Sequence, residues 1–116
     1  MKIERFEDLI VWQNARKLTI LIYEYFRTNK DYAFKDQIQR ASVSIMNNIA
    51  EGFERKGSKE YSRFLYIAKG SAGEVRSMLY LAKDLEYIDT ERFDDLYKQA
   101  EELAMMLAGL IRRVEG

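Results

Sequence analysis

Ser58-Lys59-Glu60-Tyr61-Ser62-Arg63-Phe64-Leu65-Tyr66-Ile67-Ala68-Lys69-Gly70-Ser71-Ala72-Gly73-Glu74-Val75-Arg76-Ser77-Met78-Leu79-Tyr80-Leu81-Ala82-Lys83-Asp84-Leu85 places Tyr61, Phe64, Leu65, Ala68, Ala72, Val75, Leu79, Ala82 and Leu85 three or four residues apart. That spacing follows the 3.6-residue turn and gathers the apolar side chains on one stripe of a long helix. Ser58, following Lys56-Gly57, is expected to cap it, and the pattern carries to about Tyr87.

The same reading extends in both directions. Upstream, Lys35 to Glu54 turns Ile38, Ala41, Ile45, Ile49 and Phe53 inward. Asp8 to Thr28 does the same with Val11, Ala15, Leu18, Leu21, Ile22 and Tyr25, and ends in Thr28-Asn29-Lys30-Asp31. Downstream, Asp89 or Thr90 caps a fourth helix with the stripe Phe93, Leu96, Tyr97, Ala100, Leu103, Ala104, Leu107, Leu110, Ile111 and Val114. Acidic residues crowd its first turns and Arg112-Arg113 its last, as the helix dipole favours. Helices of roughly 30–45 Å joined by short connections must run antiparallel. The expected fold is all-α: residues 1–116 form a single up-down-up-down antiparallel four-helix bundle.

Composition agrees and narrows the function. The chain has 116 residues, 47% of them hydrophobic and 33% charged, with no proline and 6 glycines. That supports one soluble core and disfavours turn-rich β architectures. Cysteine is absent, removing disulfides, thiolate metal sites and thiol nucleophiles; histidine is absent too, and with it the usual general base and the Glu-x-x-His pairs of di-iron bundles. No enzyme and no cofactor are expected. Gly57-Ser58-Lys59 is a turn between helices and not a phosphate loop. The apolar runs are short of a membrane span, and Met1-Lys2-Ile3-Glu4-Arg5 lacks a signal-peptide core, so a cytoplasmic location is expected.

Net charge is zero, yet residues 35–83 hold nine Lys/Arg against five Asp/Glu and residues 84–102 hold two against eight. Within the basic part, Arg55, Lys56, Lys59 and Arg63 cluster at one helix junction, Lys69 and Arg76 follow, and Tyr61 and Tyr66 interleave. Such a set can contact phosphates while an aromatic ring stacks on an unpaired base; charge at a helix junction is more often simply solvated surface. Glu51 and Glu74, beside the apolar stripes, could serve as acid and base, though pairing of Glu51 with Arg55 and of Glu74 with a nearby arginine is the simpler arrangement. Asn47 and Asn48 either bond across helices or satisfy local groups.

A second seam is harder to explain within one bundle. Tyr66, Gly70, Gly73, Ser77 and Leu81 oppose the core stripe of the third helix; Val43, Met46 and Ala50 do so on the second, and Leu9, Trp12, Ile20 and Tyr23 flank or oppose it on the first. Each mid-helix glycine costs about 1 kcal/mol relative to alanine, so Gly70 and Gly73 imply a close approach, either of another copy or of a tight spot inside the protomer. The sharing of the feature by three helices favours a homo-oligomer.

The second helix reads Gln37-Ile38-Gln39-Arg40-Ala41-Ser42-Val43-Ser44-Ile45-Met46-Asn47-Asn48-Ile49-Ala50-Glu51-Gly52. It resembles the Q-I-x-R-A-x-x-S-I-x-x-N-I-A-E-G signature of the four-helix bundle proteins encoded in intervening sequences of bacterial 23S ribosomal RNA genes. Phe6 to Gln13, Glu60 to Phe64, and Ile67 to Ser71 with Glu74 extend the match over nearly the whole chain. The resemblance implies a ring-like homopentamer, similar to the accessory variability determinant of diversity-generating retroelements, which partners a reverse transcriptase and nucleic acid. Zero net charge sets this chain apart from strongly basic members. The expected partners are other copies of the chain and RNA or an RNA-associated protein, with no membrane. The alternative is a purely structural or protein-binding oligomer without nucleic-acid contact.

Overall fold

Each of the four apolar stripes forms a helix. The computed structural model describes residues 2–116, with α1 at Ile10–Tyr25, α2 at Tyr32–Glu54, α3 at Ser58–Asp84 and α4 at Thr90–Glu115; a 3-10 turn at Phe6–Asp8 leads into α1. No strand occurs among the described residues. The helices pack in a ring, α1 on α2, α2 on α3, α3 on α4 and α4 back on α1, with no close backbone approach across the diagonals. The resulting bundle measures 43 × 22 × 20 Å.

The helix ends differ from the sequence expectation for identifiable reasons. α2 starts at Tyr32 rather than Lys35, because Asp31 is its cap and accepts a hydrogen bond from the Phe34 amide at 3.1 Å. α1 stops at Tyr25 rather than Thr28; Phe26 swings fully into the core, where its ring meets Phe34 at 5.5 Å. Ser58 does not cap α3: Gly57, at φ +89°, holds that place with no side-chain bond, and Ser58 is the first helical residue. Asp89 does cap α4, accepting from the Arg92 amide at 2.8 Å.

α3 ends at Asp84 and not at Tyr87. Glu86 takes the left-handed conformation at φ +60°, the Tyr87 amide donates to the Ala82 carbonyl at 2.8 Å, and the Glu86 amide donates to Lys83 at 3.0 Å. This is the paired Schellman closure, with glutamate where glycine is usual. Leu85 is consequently exposed, and Ile88 replaces it in the core.

Core residues gather as the stripes require. Val11, Ala15, Leu18 and Ile22 of α1, Ile38, Ala41, Ile45 and Ile49 of α2, Leu65 to Leu79 of α3 and Leu96 to Leu107 of α4 supply one continuous buried core. Phe53 and Tyr61 are half-buried at the edge, their rings 5.9 Å apart. The buried hydroxyls are all bonded: Thr19 donates to the Ala15 and Ser42 carbonyls, Ser42 to Gln39, and Ser62 to Glu115. Polar pairs also cross the α2–α3 seam, where Ser44 and Ser71 hydroxyls lie 2.9 Å apart.

The tight glycine is Gly52, not Gly70 or Gly73. A Cβ at Gly52 would stand 2.8 Å from the Phe64 Cβ and 3.3 Å from the Tyr61 carbonyl; at Gly70 and Gly73 it would meet nothing within 4 Å. The possibility of a tight spot inside the protomer at the α3 glycines is thereby excluded. Gly52→Ala must push α3 away and should lower stability by about 1–3 kcal/mol. Gly70→Ala should raise the stability of the bundle by up to about 1 kcal/mol through helix propensity alone. Paired urea melts of the two variants check the opposite signs.

At one end of the bundle the α1–α2 and α3–α4 connections are tied together. Tyr87 donates to Asp31 Oδ2 at 2.6 Å, and its ring packs edge-on against Phe34. The Tyr87 hydroxyl and then the Phe34 amide hold the Asp31 carboxyl below its ordinary value of about 3.8, while the same bond holds the Tyr87 phenol above its ordinary value of about 10. A lowered carboxyl pKa contributes stability that is present above the unfolded value and lost as pH falls through the folded one. A raised phenol pKa contributes below the unfolded value and is lost as pH rises through the folded one. The difference in melting temperature between the parent and Tyr87→Phe should therefore be flat across neutral pH and shrink at both extremes. A difference independent of pH from acid to alkali would show that this bond contributes nothing.

Candidate functional site

The geometry of α3 decides where both candidate residue sets lie. Successive residues turn by about 100°, so Lys59, Arg63, Tyr66, Gly70, Gly73, Ser77 and Leu81 share the face opposite the buried Ala68, Ala72, Val75 and Leu79. Tyr66 and Leu81 are 52% and 47% exposed; Gly70 and Ser77 are exposed and Gly73 half-buried. Lys69 and Arg76 lie toward α4, on the flank where Tyr80 meets the Phe93 and Tyr97 rings at 5.4 and 5.3 Å. Arg76 is half-buried and its Nε is enclosed without a hydrogen-bond partner. The six cations therefore do not form one patch: Arg55, Lys56, Lys59 and Arg63 gather at the α2–α3 junction, and Lys69 and Arg76 sit about 10–20 Å farther along the helix.

At the junction, half of the charge is already engaged. Arg55 bonds Glu51 at 2.7 Å and lies 4.0 Å from Glu60; Arg63 bonds Glu60 at 3.1 Å. Both guanidinium groups stack over the Phe64 ring, at 5.0 and 4.8 Å. The Glu51 hydrogen bond, with smaller help from Glu60, raises the Arg55 pKa, so it stays cationic at any working pH. Lys56 and Lys59 make no ion pair among the described residues. Beside them opens a shallow cavity of about 510 Å³, lined by Ser58, Lys59, Glu60, Ser62, Arg63, Tyr66 and Glu115. Sequence reasoning found Lys59, Arg63 and Tyr66 but not Ser62 or Glu115; no periodicity could have joined residues 53 positions apart.

The carboxylate pairings are partly as expected. Glu51 bonds Arg55, whereas Glu74 takes a hydrogen bond from Gln37 at 3.3 Å and no arginine. Glu51 and Glu74 lie roughly 15 Å apart along the α2–α3 seam, which removes them as an acid–base pair. Asn48 bonds the Ser44 carbonyl and hydroxyl on its own helix, at 2.8 and 3.0 Å, satisfying local groups.

The outward residues of α1 and α2 divide into two kinds. Ile20 and Tyr23 are 50% and 44% exposed, and Val43 and Ala50 on α2 are half-buried. Leu9, Trp12 and Met46 instead pack partly against the chain's own core. Phe6 stands edge-on to Trp12 at 5.2 Å, and Arg16 covers the indole at 5.7 Å, so this part of the expected seam is largely closed within the chain. Leu9 also lines an apolar hollow of about 430 Å³ between the start of α1 and the end of α4. In the ring of helices α1 lies diagonally from α3, so the exposed Ile20 and Tyr23 stand on the other side of the bundle from the outward face of α3.

Among the described residues no helix is long and apolar enough to cross a membrane. The family model described as 23S rRNA-intervening sequence protein matches residues 7–109. No curated protein matches the chain. The fold is similar to a crystal structure, from Bacteroides thetaiotaomicron VPI-5482, of a protein with unknown function from the S23 ribosomal protein family. The two chains are 24% identical with a TM-score of 0.83, over 88% of this chain and 98% of the other.

Proposed function

We propose that this chain, which belongs to the 23S rRNA-intervening sequence protein family, acts by binding, as a homo-oligomeric and non-enzymatic scaffold in contact with RNA or an RNA-associated protein. The observation that carries this reading is the outward face of α3. From Arg63 to Lys83 its sole carboxylate, Glu74, is turned to α2, where it bonds Gln37. What remains outward is tyrosine, leucine, cations and two glycines with open space above them.

The two candidate sets occupy different stretches of that face. The line from Gly70 to Leu81 fits self-association, because an exposed seam of small residues ending at Leu81, with backbone accessible at Gly70 and Gly73, admits close approach of another copy, while Tyr66 stays with the junction cavity that it lines. Because this seam and the exposed residues of α1 lie on different sides of the bundle, the contact proposed is heterologous, one copy's seam against the other face of its neighbour. A heterologous contact closes into a ring when the rotation between neighbours sums to a full turn, and a pentamer is the number proposed from the family resemblance. The cations of the α2–α3 junction lie beyond the seam at the end of the bundle, so a ring would repeat them around one rim. A ring of that kind presents phosphate-binding charge that a single protomer of zero net charge lacks.

The ion pairs of Arg55 and Arg63 with Glu51 and Glu60 favour the second reading, a structural or protein-binding oligomer without nucleic-acid contact. Salt dependence separates the two. For RNA binding through the junction, affinity should fall steeply with salt, and replacing Arg55, Lys56, Lys59 and Arg63 by serine should weaken binding and flatten the slope by up to about three units. Equal binding by parent and variant across the salt range excludes this site.

Self-association has its own test. Gly73→Leu meets no atom of its own chain near Cβ, so circular dichroism should stay helical while light scattering shows a lower mass at micromolar protein. An overpacked contact costs about 1–3 kcal/mol at each interface of a ring. A parent that runs as a monomer at high concentration overturns the oligomer.

A further inference from the structure

The cavity beside Lys59 and Arg63 already contains an anion supplied by the chain itself. Glu115, in the last turn of α4, reaches across to the first turns of α3, where the Ser62 hydroxyl donates to its Oε2 at 2.7 Å. Ser62 is 6% exposed, so this donor is built into the helix interface and is not a surface rotamer. No cation stands within 4 Å of Glu115 among the described residues, and its carboxylate lines the same cavity as Lys59, Arg63 and Tyr66. A carboxylate offers about four acceptor sites, and one hydrogen bond leaves most of them facing the cavity. With Glu60 on Arg63, the two cations of the cavity are matched by two carboxylates.

We infer that Glu115 is a resident competitor of the phosphate site: it balances the charge of Lys59 and Arg63 until a phosphate of single-stranded nucleic acid takes its place, with Tyr66 as the ring on which the adjoining base stacks. This rests on the nucleic-acid reading given above. The chemistry favours a phosphodiester over another carboxylate for the exchange, because a chain ligand brings a stacking base and a second phosphate that Glu115 lacks. Glu115 thus sets a threshold, excluding isolated small anions while yielding to a polyanion.

Glu115→Gln isolates the charge, since the amide oxygen can still accept from Ser62. Fluorescence anisotropy with a labelled twelve-residue oligouridylate should show binding tightened about fivefold at low salt, the size expected for removing one nearby like charge at the surface. Glu102→Gln, which changes net charge equally but lies beside Asn14 and Lys17 on the α1 side of α4, should leave affinity unchanged. Adding Lys59→Ser to Glu115→Gln should abolish the gain. If the parent binds and Glu115→Gln binds no better, or if Glu102→Gln tightens binding equally, the competitor role is overturned while nucleic-acid binding stands. If neither the parent nor Glu115→Gln binds at low salt, the nucleic-acid reading fails and takes this inference with it.

Discussion

The close approach of α2 and α3 at Gly52 is the constraint around which the bundle is arranged. With no atom to spare between Gly52 and the Phe64 Cβ, the two backbones fix each other's rotation. That rotation sends Ser44 to Ser71 and Gln37 to Glu74. It also settles which residues of α3 can face away from the core, so the exposed line from Tyr66 to Leu81 follows from a contact two residues before its start. Buried methyl and isopropyl groups supply most of the stability, as in any bundle, but they tolerate some rolling of the helices; a missing side chain at a crossing does not.

The number, order and inward stripes of the helices were legible because 3.6-residue periodicity over 16 to 27 residues leaves little freedom once each helix must bury one face. The helix ends were less so. At Glu86 the chain makes a Schellman turn without the glycine that normally announces it, and Tyr87 follows by bonding Asp31, 56 residues away. The outer faces were legible as composition but not as contact: Trp12 and Met46 read as outward from spacing, yet Phe6, Arg16 and the neighbouring helix cover them. Gly70 and Gly73 looked like the tight positions because they sit mid-helix, whereas Gly52 sat unremarked inside a signature of small residues.

Charge at the α2–α3 junction shows why a cluster of basic letters is a poor measure of potential. Arg55 and Arg63 each have a carboxylate on a neighbouring turn and share the face of Phe64. These pairs are exposed, so each contributes little to stability. Their effect is directional instead: the aromatic face and the flanking glutamates hold two flexible side chains in place at the rim of a cavity. Lys56 and Lys59 make no ion pair among the described residues, and Lys59 has the Glu115 carboxylate across the cavity that both line.

The ring of contacts has a consequence for the order in which the bundle assembles. Residues 55–57 join α2 to α3, and Ser44 finds Ser71 across a separation of 27 residues; Asn14 finds Met106 across 92. Closing the longer loop from an unstructured chain costs about 1 kcal/mol more, and its reward at that point is a long 3.5 Å contact to a thioether and not a hydroxyl pair. The α2–α3 hairpin closes over a short loop, whereas the α1–α4 seam joins the most distant parts of the chain. It is correspondingly the seam by which the barrel would unzip, giving hydrogen exchange along α1 and α4 a faster rhythm than along the hairpin between them.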